Sequence, residues 1–210
     1  MIKALLVDDH PVVRQGIRLI LAANADIEVV AEAATAAAAV DHVRSADLNL
    51  VVLDLNLPDQ NGFWVLGEIQ RLRPELPVLI LSIQPEEHMA VRALKAGARG
   101  FLNKESAPEE LVKAARAVVE GKRYISPRLA EWLAVDVSGH RESLPHERLS
   151  DREYQVMCLL AAGRSISEIS TLLHRSANTI STYRSRILQK MGLETNAALT
   201  QYASNHLLIK

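Results

Sequence analysis

The chain has 210 residues and a formal net charge of −1, and 49% of its side chains are hydrophobic but only 4% aromatic. Its length fits two domains of roughly 100 residues or one large domain, and its composition is typical of a folded globular protein with aliphatic cores. No apolar run approaches the roughly 20 residues of a membrane helix, and the one at the N-terminus is too short for a signal peptide, so we expect a cytoplasmic protein without a membrane segment.

Five short apolar runs alternate with helical patterns over the first 120 residues. The runs lie at 3–7, 27–33, 48–55, 77–82 and 100–104. They are rich in Leu, Val and Ile without strict polar alternation, as in parallel strands covered on both faces. Helical patterns follow them at 12–23, 35–46, 62–72, 86–96 and 107–120. Five such βα units predict an α/β fold with a doubly wound, five-stranded parallel sheet.

The periodicity disappears from residue 121 to 147, where Gly, Pro, Ser and charged residues mix. This composition predicts a linker whose middle, 136–147, is its most mobile part. Four helical patterns without a strand signal follow, at 151–162, 166–173, 177–191 and 195–206. We therefore predict a first domain at 1–120, a linker at 121–147 and a small all-α domain at 148–210.

The near-neutral net charge hides an asymmetry between the two parts of the chain. Residues 1–147 carry 16 Lys and Arg against 21 Asp and Glu, whereas residues 148–210 carry 8 against 4. A basic segment beside an acidic one hints at nucleic-acid binding by the basic part.

Polar residues stand at the carboxyl ends of four predicted strands. Asp8 and Asp9 follow the first strand, Asp54 ends the third, Ser82 the fourth and Lys104 the fifth. The carboxyl ends of parallel strands meet at one edge of a sheet, where ligands bind. We therefore expect three acids, a hydroxyl and an ammonium to converge there, although any one of them alone has an ordinary explanation as a polar strand end.

The chemistry that fits this set is phosphoryl transfer to a carboxylate. Three carboxylates favour a hard cation such as Mg²⁺, which also explains why Asp8 and Asp9 stand side by side despite their repulsion. In this interpretation Asp54 is the nucleophile, Lys104 supplies a second positive charge, and Ser82 donates a hydrogen bond to a phosphoryl oxygen. His10 is either a further ligand or a loop histidine, and the second interpretation is favoured.

The first 120 residues resemble the receiver domains of two-component response regulators. The resemblance rests on VDDHP, VVLDLNLPDQNG, LILS and GARGFLNKES. It implies a flavodoxin-like fold, a Mg²⁺ site to which Asn56 adds its backbone carbonyl, and phosphorylation of Asp54 by a sensor histidine kinase. It also implies a switch made of Ser82 and Phe101, although core packing explains Phe101 equally well. The sequence departs from the common pattern at Ser82, where threonine is commoner, and at Glu105, where many receivers have proline.

The basic tail has the pattern of a helix-turn-helix. Ser150 and Glu153 form a predicted capping box, and a short second helix leads through a turn into a basic third helix at 177–191. A four-helix protein-interaction module would have a similar composition. Composition alone therefore favours DNA binding only slightly over such a module.

The tail also resembles the LuxR-type output domain, and TISTYRSRILQKM carries the signature of its recognition helix. The resemblance implies binding to double-stranded promoter DNA, with Ser181, Thr182 and Ser185 facing base edges. It implies a homodimer that forms through the last helix on phosphorylation or DNA binding. Arg184, Arg186 and Lys190 are expected on phosphates or groove edges. Thr179, which opens the signature, is a further expected DNA-binding residue.

We therefore interpret the chain as a phosphorylation-controlled transcription regulator and not as an enzyme, apart from its own phosphorylation and slow dephosphorylation. One alternative is an Mg²⁺-dependent phosphatase with an aspartyl nucleophile, but such enzymes usually need an acid at the position of Asn56. A second is a receiver that serves as a phosphorelay or protein-interaction module, against which the basic tail argues.

Overall fold

The computed structural model describes residues 1–82, 86–106, 108–127, 129–131, 144–173, 175–206 and 208–209. The chain forms two compact units, Met1–Ala134 and Val135–Lys210, each with its own core. About half of the predicted linker, including residues 136–143 of its middle, lies outside the described residues. Among those described, no helix is long and apolar enough to cross a membrane.

The first unit is built on five parallel strands in the order β2-β1-β3-β4-β5. This topology confirms the predicted doubly wound sheet. The central strands β3 and β4 are buried at every position, which explains why their sequences are continuously apolar and do not alternate. The strands are β1 (Ile2–Val7), β2 (Ile27–Ala33), β3 (Leu50–Asp54), β4 (Val78–Ser82) and β5 (Gly100–Asn103).

Four helices connect these strands and a fifth follows β5, and their bounds match the predicted ones to within one or two residues. They are α1 (Pro11–Ala22), α2 (Ala36–Ser45), α3 (Gly62–Leu72), α4 (Glu86–Lys95) and α5 (Pro108–Val119). Helix α1 buries Ile17 and Leu21 and packs beside α5 on one face of the sheet, while α2 and α3 pack against each other. The small side chains of α2 let it lie close to its neighbours.

The chain that follows α5 departs from the predicted linker. The Tyr124 N–H donates to the Arg99 carbonyl at 3.0 Å, and the Phe101 N–H donates to the Tyr124 carbonyl at 3.1 Å. Tyr124 thus forms a parallel bridge with Gly100 of β5. Gly100 favours this approach, because a Cβ there would lie 2.9 Å from Leu79 Cδ1 and 3.1 Å from the Tyr124 carbonyl oxygen.

The second unit is all α in the part that is described, as predicted. It begins with a 3-10 helix that the sequence did not predict, because Pro145–Arg148 has no apolar period. The buried side chain of His146 anchors this turn. The four predicted helices are present as α6 (Asp151–Ala161), α7 (Ile166–Leu172), α8 (Ala177–Met191) and α9 (Asn196–Asn205).

Hydroxyl caps determine where these helices begin. Ser150, Ser165, Ser176 and Thr195 each accept a hydrogen bond from a backbone N–H in the first turn of α6 to α9. Gly192 ends α8 in the left-handed conformation, with φ of 66°. Four residues of α8 are buried, Ile180, Ile187, Leu188 and Met191, and their helical spacing places them along one face.

Candidate functional site

The carboxyl edge of the sheet brings together residues from four strands. Asp8 follows β1, Asp54 ends β3, Ser82 ends β4 and Lys104 follows β5. The Lys104 Nζ lies 2.6 Å from Asp8 Oδ2 and 2.6 Å from Asp54 Oδ2, so one ammonium holds two carboxylates from neighbouring strands. Residues separated by up to 96 positions in the sequence thus meet at one point.

Burial shifts the pKa values of the charged groups at this site. The side chains of Asp8 and Asp54 are each 2% exposed and that of Lys104 is 10% exposed. Burial raises the pKa of Asp54, and Lys104 offsets part of that shift. Burial opposes the charged form of Lys104 too, but the attraction of Asp54 and Asp8 outweighs it and raises the Lys104 pKa. The site therefore holds more negative charge than its single ammonium neutralises.

The loop between β3 and α3 is tied closely to Asp54. The Asn56 N–H donates to Asp54 Oδ1 at 3.1 Å, and the Gly62 N–H donates to the Leu55 carbonyl at 2.9 Å. A Cβ at Gly62 would lie 2.5 Å from the Asp54 carbonyl oxygen, so only glycine allows the loop to close there. Asn61 then caps α3 by accepting from the Phe63 N–H at 2.8 Å.

The acidic cluster is compatible with a bound Mg²⁺ ion. Asp8, Asp9, His10 and Asp54 each offer one ligand atom, and these atoms lie within 4.8 Å of one another. The carboxylate oxygens suit a hard divalent cation, and the excess of negative charge favours one. The His10 Nδ1 lies 2.5 Å from Asp9 Oδ1, and the backbone N–H of His10 donates to Asp8 Oδ1 at 2.8 Å. These two contacts of His10 orient the carboxylates of Asp8 and Asp9.

The two predicted switch residues are both fully buried. Ser82 is 0% exposed, and its carbonyl accepts from the Lys104 N–H at 2.9 Å, which connects the ends of β4 and β5. Phe101 is also 0% exposed and is among the largest fully buried side chains of the described part. Its backbone N–H is the one bonded to Tyr124. Phe101 therefore connects the core to the chain that leaves the first unit.

In the second unit, α8 presents only some of its predicted DNA-binding residues to solvent. Thr182, Ser185 and Arg186 are exposed, whereas Thr179 and Ser181 are half-buried. The Thr182 and Ser185 hydroxyls donate to carbonyls one turn earlier, at 2.9 and 3.2 Å. A hydroxyl held in this way still has free acceptor capacity for a base edge.

Two of the predicted basic residues already have partners inside the unit. The Arg184 Nε donates to Asn196 Oδ1 of α9 at 2.7 Å, and Arg184 is half-buried. The Lys190 Nζ lies 2.6 Å from Glu153 Oε2. The Glu153 side chain is only 5% exposed and also accepts from the Ser150 N–H at 2.7 Å. Arg184 and Lys190 thus brace α8 against its neighbours.

Sequence reasoning missed several residues that matter for these sites. On α8, Asn178 and Gln189 are exposed on the same face as Thr182 and Ser185, and their helical spacing from those two residues could have found them. The His146 Nδ1 lies 2.8 Å from the Tyr202 hydroxyl, a contact between distant segments that no local pattern predicts.

Two family models match the chain. One, described as the response regulator receiver domain, matches residues 4–116. The other, described as bacterial regulatory proteins of the luxR family, matches residues 147–203. Each match falls on one of the two compact units.

Known proteins are similar to the chain over nearly its whole length. It is 35% identical over 207 residues to the response regulator UvrY of Escherichia coli (strain K12), covering 98% of this chain and 95% of that protein. It is 33% identical over 207 residues to the response regulator GacA of Pseudomonas aeruginosa, covering 98% and 97%. A solved structure of RcsB from Salmonella enterica serovar Typhimurium, bound to promoter P1flhDC with the phosphomimetic BeF3⁻, matches with a TM-score of 0.73 and 28% identity. That match covers 97% of this chain and 98% of the RcsB chain.

Proposed function

The chain belongs to the response regulators that join a receiver domain to a LuxR-type DNA-binding domain, and from that premise we propose that Asp54 accepts the phosphoryl group. It is a signalling protein, a phosphorylation-controlled transcription regulator. The observation that carries the assignment of Asp54 is the Lys104 ammonium, 2.6 Å from both Asp8 and Asp54. This contact supports a site in which a carboxylate nucleophile, a second acid and a cation act together.

In the proposed step, an Asp54 carboxylate oxygen attacks the phosphorus of a phosphohistidine on a partner sensor kinase. A new O–P bond forms while the P–N bond breaks, and its electron pair stays on the leaving imidazole nitrogen. The Lys104 ammonium turns from the carboxylate to the phosphoryl oxygens, so the new negative charge keeps a partner. Slow attack by water on phosphorus later restores the carboxylate and releases inorganic phosphate.

We assign the divalent cation of this step to the acidic cluster. Asp8, Asp9 and Asp54 would hold a Mg²⁺ ion together with the Asn56 carbonyl. The ion would neutralise charge on the phosphoryl oxygens. Asn56 suits this role because its N–H already bonds to Asp54, which holds the residue beside the site.

The proposed switch reads the phosphoryl group through Ser82. Its hydroxyl would donate to a phosphoryl oxygen and draw the end of β4 toward Asp54, while Phe101 changes its packing. Because the Phe101 N–H bonds to Tyr124, a shift of Phe101 would move the chain that leads to the second unit. This connection supports a path from phosphorylation to output.

The proposed output is binding of a homodimer to double-stranded promoter DNA in the cytoplasm. Thr182 and Ser185, exposed on α8, would face base edges, and Arg186 would engage phosphates. Arg184 and Lys190 would reach phosphates only by leaving Asn196 and Glu153. Ser181 and Thr179 would support the helix at the groove, and α9 would form the dimer contact.

The proposed domains run from 1 to 120 and from 148 to 210, with a linker at 121–147. Two contacts favour wider limits for both domains. Tyr124 bonds to β5 of the first unit, and His146 packs against Tyr202 of the second. A fragment that keeps either unit intact should therefore include these residues.

The test of the phospho-acceptor uses acetyl phosphate as donor and intact-protein mass as the measurement. With Mg²⁺ present, the wild-type chain should gain one phosphoryl group as the P–O bond to acetate breaks, and Asp54→Asn should gain none. Asp41→Asn, which changes an exposed acid on α2, is the matched control and should be labelled like wild type. Stoichiometric labelling of Asp54→Asn would overturn the assignment.

A further inference from the structure

Asp59 connects the loop after Asp54 to the first turn of α2. One of its carboxylate oxygens accepts from the Ala36 N–H at 2.8 Å, and the other accepts from the Ala37 N–H at 3.0 Å. Thr35 accepts from the next N–H, that of Ala38, at 3.2 Å. The first turn of α2 is thus capped partly by its own Thr35 and partly by a residue more than 20 positions away.

The charge of Asp59 matches this position. The N-terminus of a helix carries partial positive charge on N–H groups that lack partners within the helix, so a carboxylate bound to two of them is stabilised. Partial burial acts to raise the pKa of Asp59, but hydrogen bonds from backbone N–H groups outweigh it and lower that pKa. The carboxylate is therefore ionised whenever the protein is folded near neutral pH.

The loop that Asp59 anchors runs from Leu55 to Asn61, and its first part is also held by the buried side chain of Leu55 and by the bond from the Asn56 N–H to Asp54 Oδ1. Its base is closed by the bond from the Gly62 N–H to the Leu55 carbonyl, and Leu57 is buried. Asn56 and Asp59 are separated by Leu57 and Pro58 alone, and proline fixes its own φ angle. Only two residues, one of them with a fixed φ angle, therefore separate Asp59 from Asn56.

We propose that Asp59 is a positioning residue for the divalent cation, because it fixes the loop that presents the Asn56 carbonyl. This inference rests on the proposed function, in which that carbonyl is a ligand. Asp59 itself does not touch the ion. It acts by holding the loop against α2, so that the carbonyl is preorganised and the ion does not have to order it.

The test measures Mg²⁺ binding to the full-length, unphosphorylated chain by isothermal titration calorimetry. Asp59→Ala should weaken binding about tenfold, the lower end of the effect of removing outer-shell partners of a metal site. Asp59→Asn should fall between wild type and Asp59→Ala, because its amide oxygen replaces one of the two acceptors but not the charge. Asp41→Asn removes the same charge from an exposed site on α2 and should bind Mg²⁺ like wild type.

Thermal unfolding without Mg²⁺ separates positioning from simple stabilisation of α2. A cap that only stabilises the helix would lower the melting temperature of Asp59→Ala and leave the Mg²⁺ dissociation constant of the folded protein unchanged, which would overturn the inference. If Asp59→Ala is too unstable to titrate, Asp59→Asn gives the same decision. Absence of Mg²⁺ binding by wild type and Asp41→Asn alike would instead overturn the proposed metal site, and the inference with it.

Discussion

Replacing Lys104 with methionine removes the only cation bonded to two buried acids in the described part of the site. The Lys104 Nζ contacts Asp8 and Asp54 at 2.6 Å each, and those two side chains are 2% exposed. Methionine has a similar length but no charge, so Lys104→Met leaves two neighbouring carboxylates without this compensation. We expect the variant to be destabilised when divalent ions are absent and to recover when they are supplied.

The size of the effect follows from the burial of the three groups. Removing one partner of a buried ion pair costs about 3–5 kcal/mol, because the remaining charge is left uncompensated in a poorly solvated place. We expect the low end, about 3 kcal/mol, since a carboxyl group can take up a proton. That loss corresponds to a fall of roughly 10 °C in the melting temperature of a unit of this size. Mg²⁺ stabilises wild type as well as the variant, so the difference between them narrows only because the acids bind the ion more tightly when no ammonium competes for them, by about 1.4 kcal/mol for each tenfold gain in affinity.

The assay is thermal unfolding followed by circular dichroism, in EDTA and in saturating Mg²⁺. The difference in stability between wild type and Lys104→Met should be larger in EDTA than in saturating Mg²⁺. Lys113→Met is the matched control, because Lys113 is 66% exposed and pairs with Glu110, whose side chain is 39% exposed. It should differ from wild type by at most about 0.5 kcal/mol in both buffers. An equal deficit of Lys104→Met with and without Mg²⁺ would refute the reasoning, as it would show that the lysine acts by packing.

The remaining expectations concern the switch hydroxyl and the charges of the second unit. Ser82→Ala should be phosphorylated like wild type but gain less DNA affinity, because it lacks a charge-assisted hydrogen bond of about 1.5–3 kcal/mol; an equal gain in fluorescence anisotropy would show that Ser82 only packs. Hydrogen bonds from Lys190 and Ser150 outweigh the burial of Glu153 and lower its pKa below the usual 4.5. Glu153 therefore stabilises the fold above that pH, and this contribution is lost as the pH falls through the lower folded pKa. Urea unfolding of Glu153→Gln should accordingly depend less on pH in that acidic range than wild type, and identical profiles would contradict the pairing. Arg186→Ala should reduce the salt slope of DNA binding by about one unit. Lys190→Ala should reduce the salt slope less than Arg186→Ala does and lower the stability of the second unit more, because the Lys190 ammonium is paired with Glu153. Equal salt slopes for the two variants would contradict this difference between Arg186 and Lys190.

Hydrophobic periodicity was sufficient to predict the strands and the α-helices of the described fold. The positions of β3 and β4 follow directly from burial on both faces of the sheet, whereas the edge strand β2 keeps exposed residues along its length. Five βα units also predicted the doubly wound parallel sheet, whereas its flavodoxin-like form was an expectation from the family resemblance. Once the strand ends are known, Asp8, Asp54 and Lys104 must lie along the same edge, and the structure brings them into contact.

What the sequence could not predict is the pairing of side chains across large separations. The contacts of Lys190 with Glu153 and of Arg184 with Asn196 depend on the angles between helices, which periodicity does not encode. The role of Asp59 at α2 depends in the same way on the path of a loop. The 3-10 helix at Pro145–Arg148 was missed because one buried histidine, and not a repeating pattern, anchors it.

The bridge between Tyr124 and β5 has a consequence for the solubility of the protein. β5 is the outermost strand on its side of the sheet, and such a strand offers unpaired backbone groups on which another chain can add by strand pairing. Tyr124 occupies two of these groups, the Phe101 N–H and the Arg99 carbonyl. The segment that leads to the second unit thus also shields the first from edge-to-edge aggregation. A chain cut at residue 120 would lose this shield while keeping every residue of the phosphorylation site.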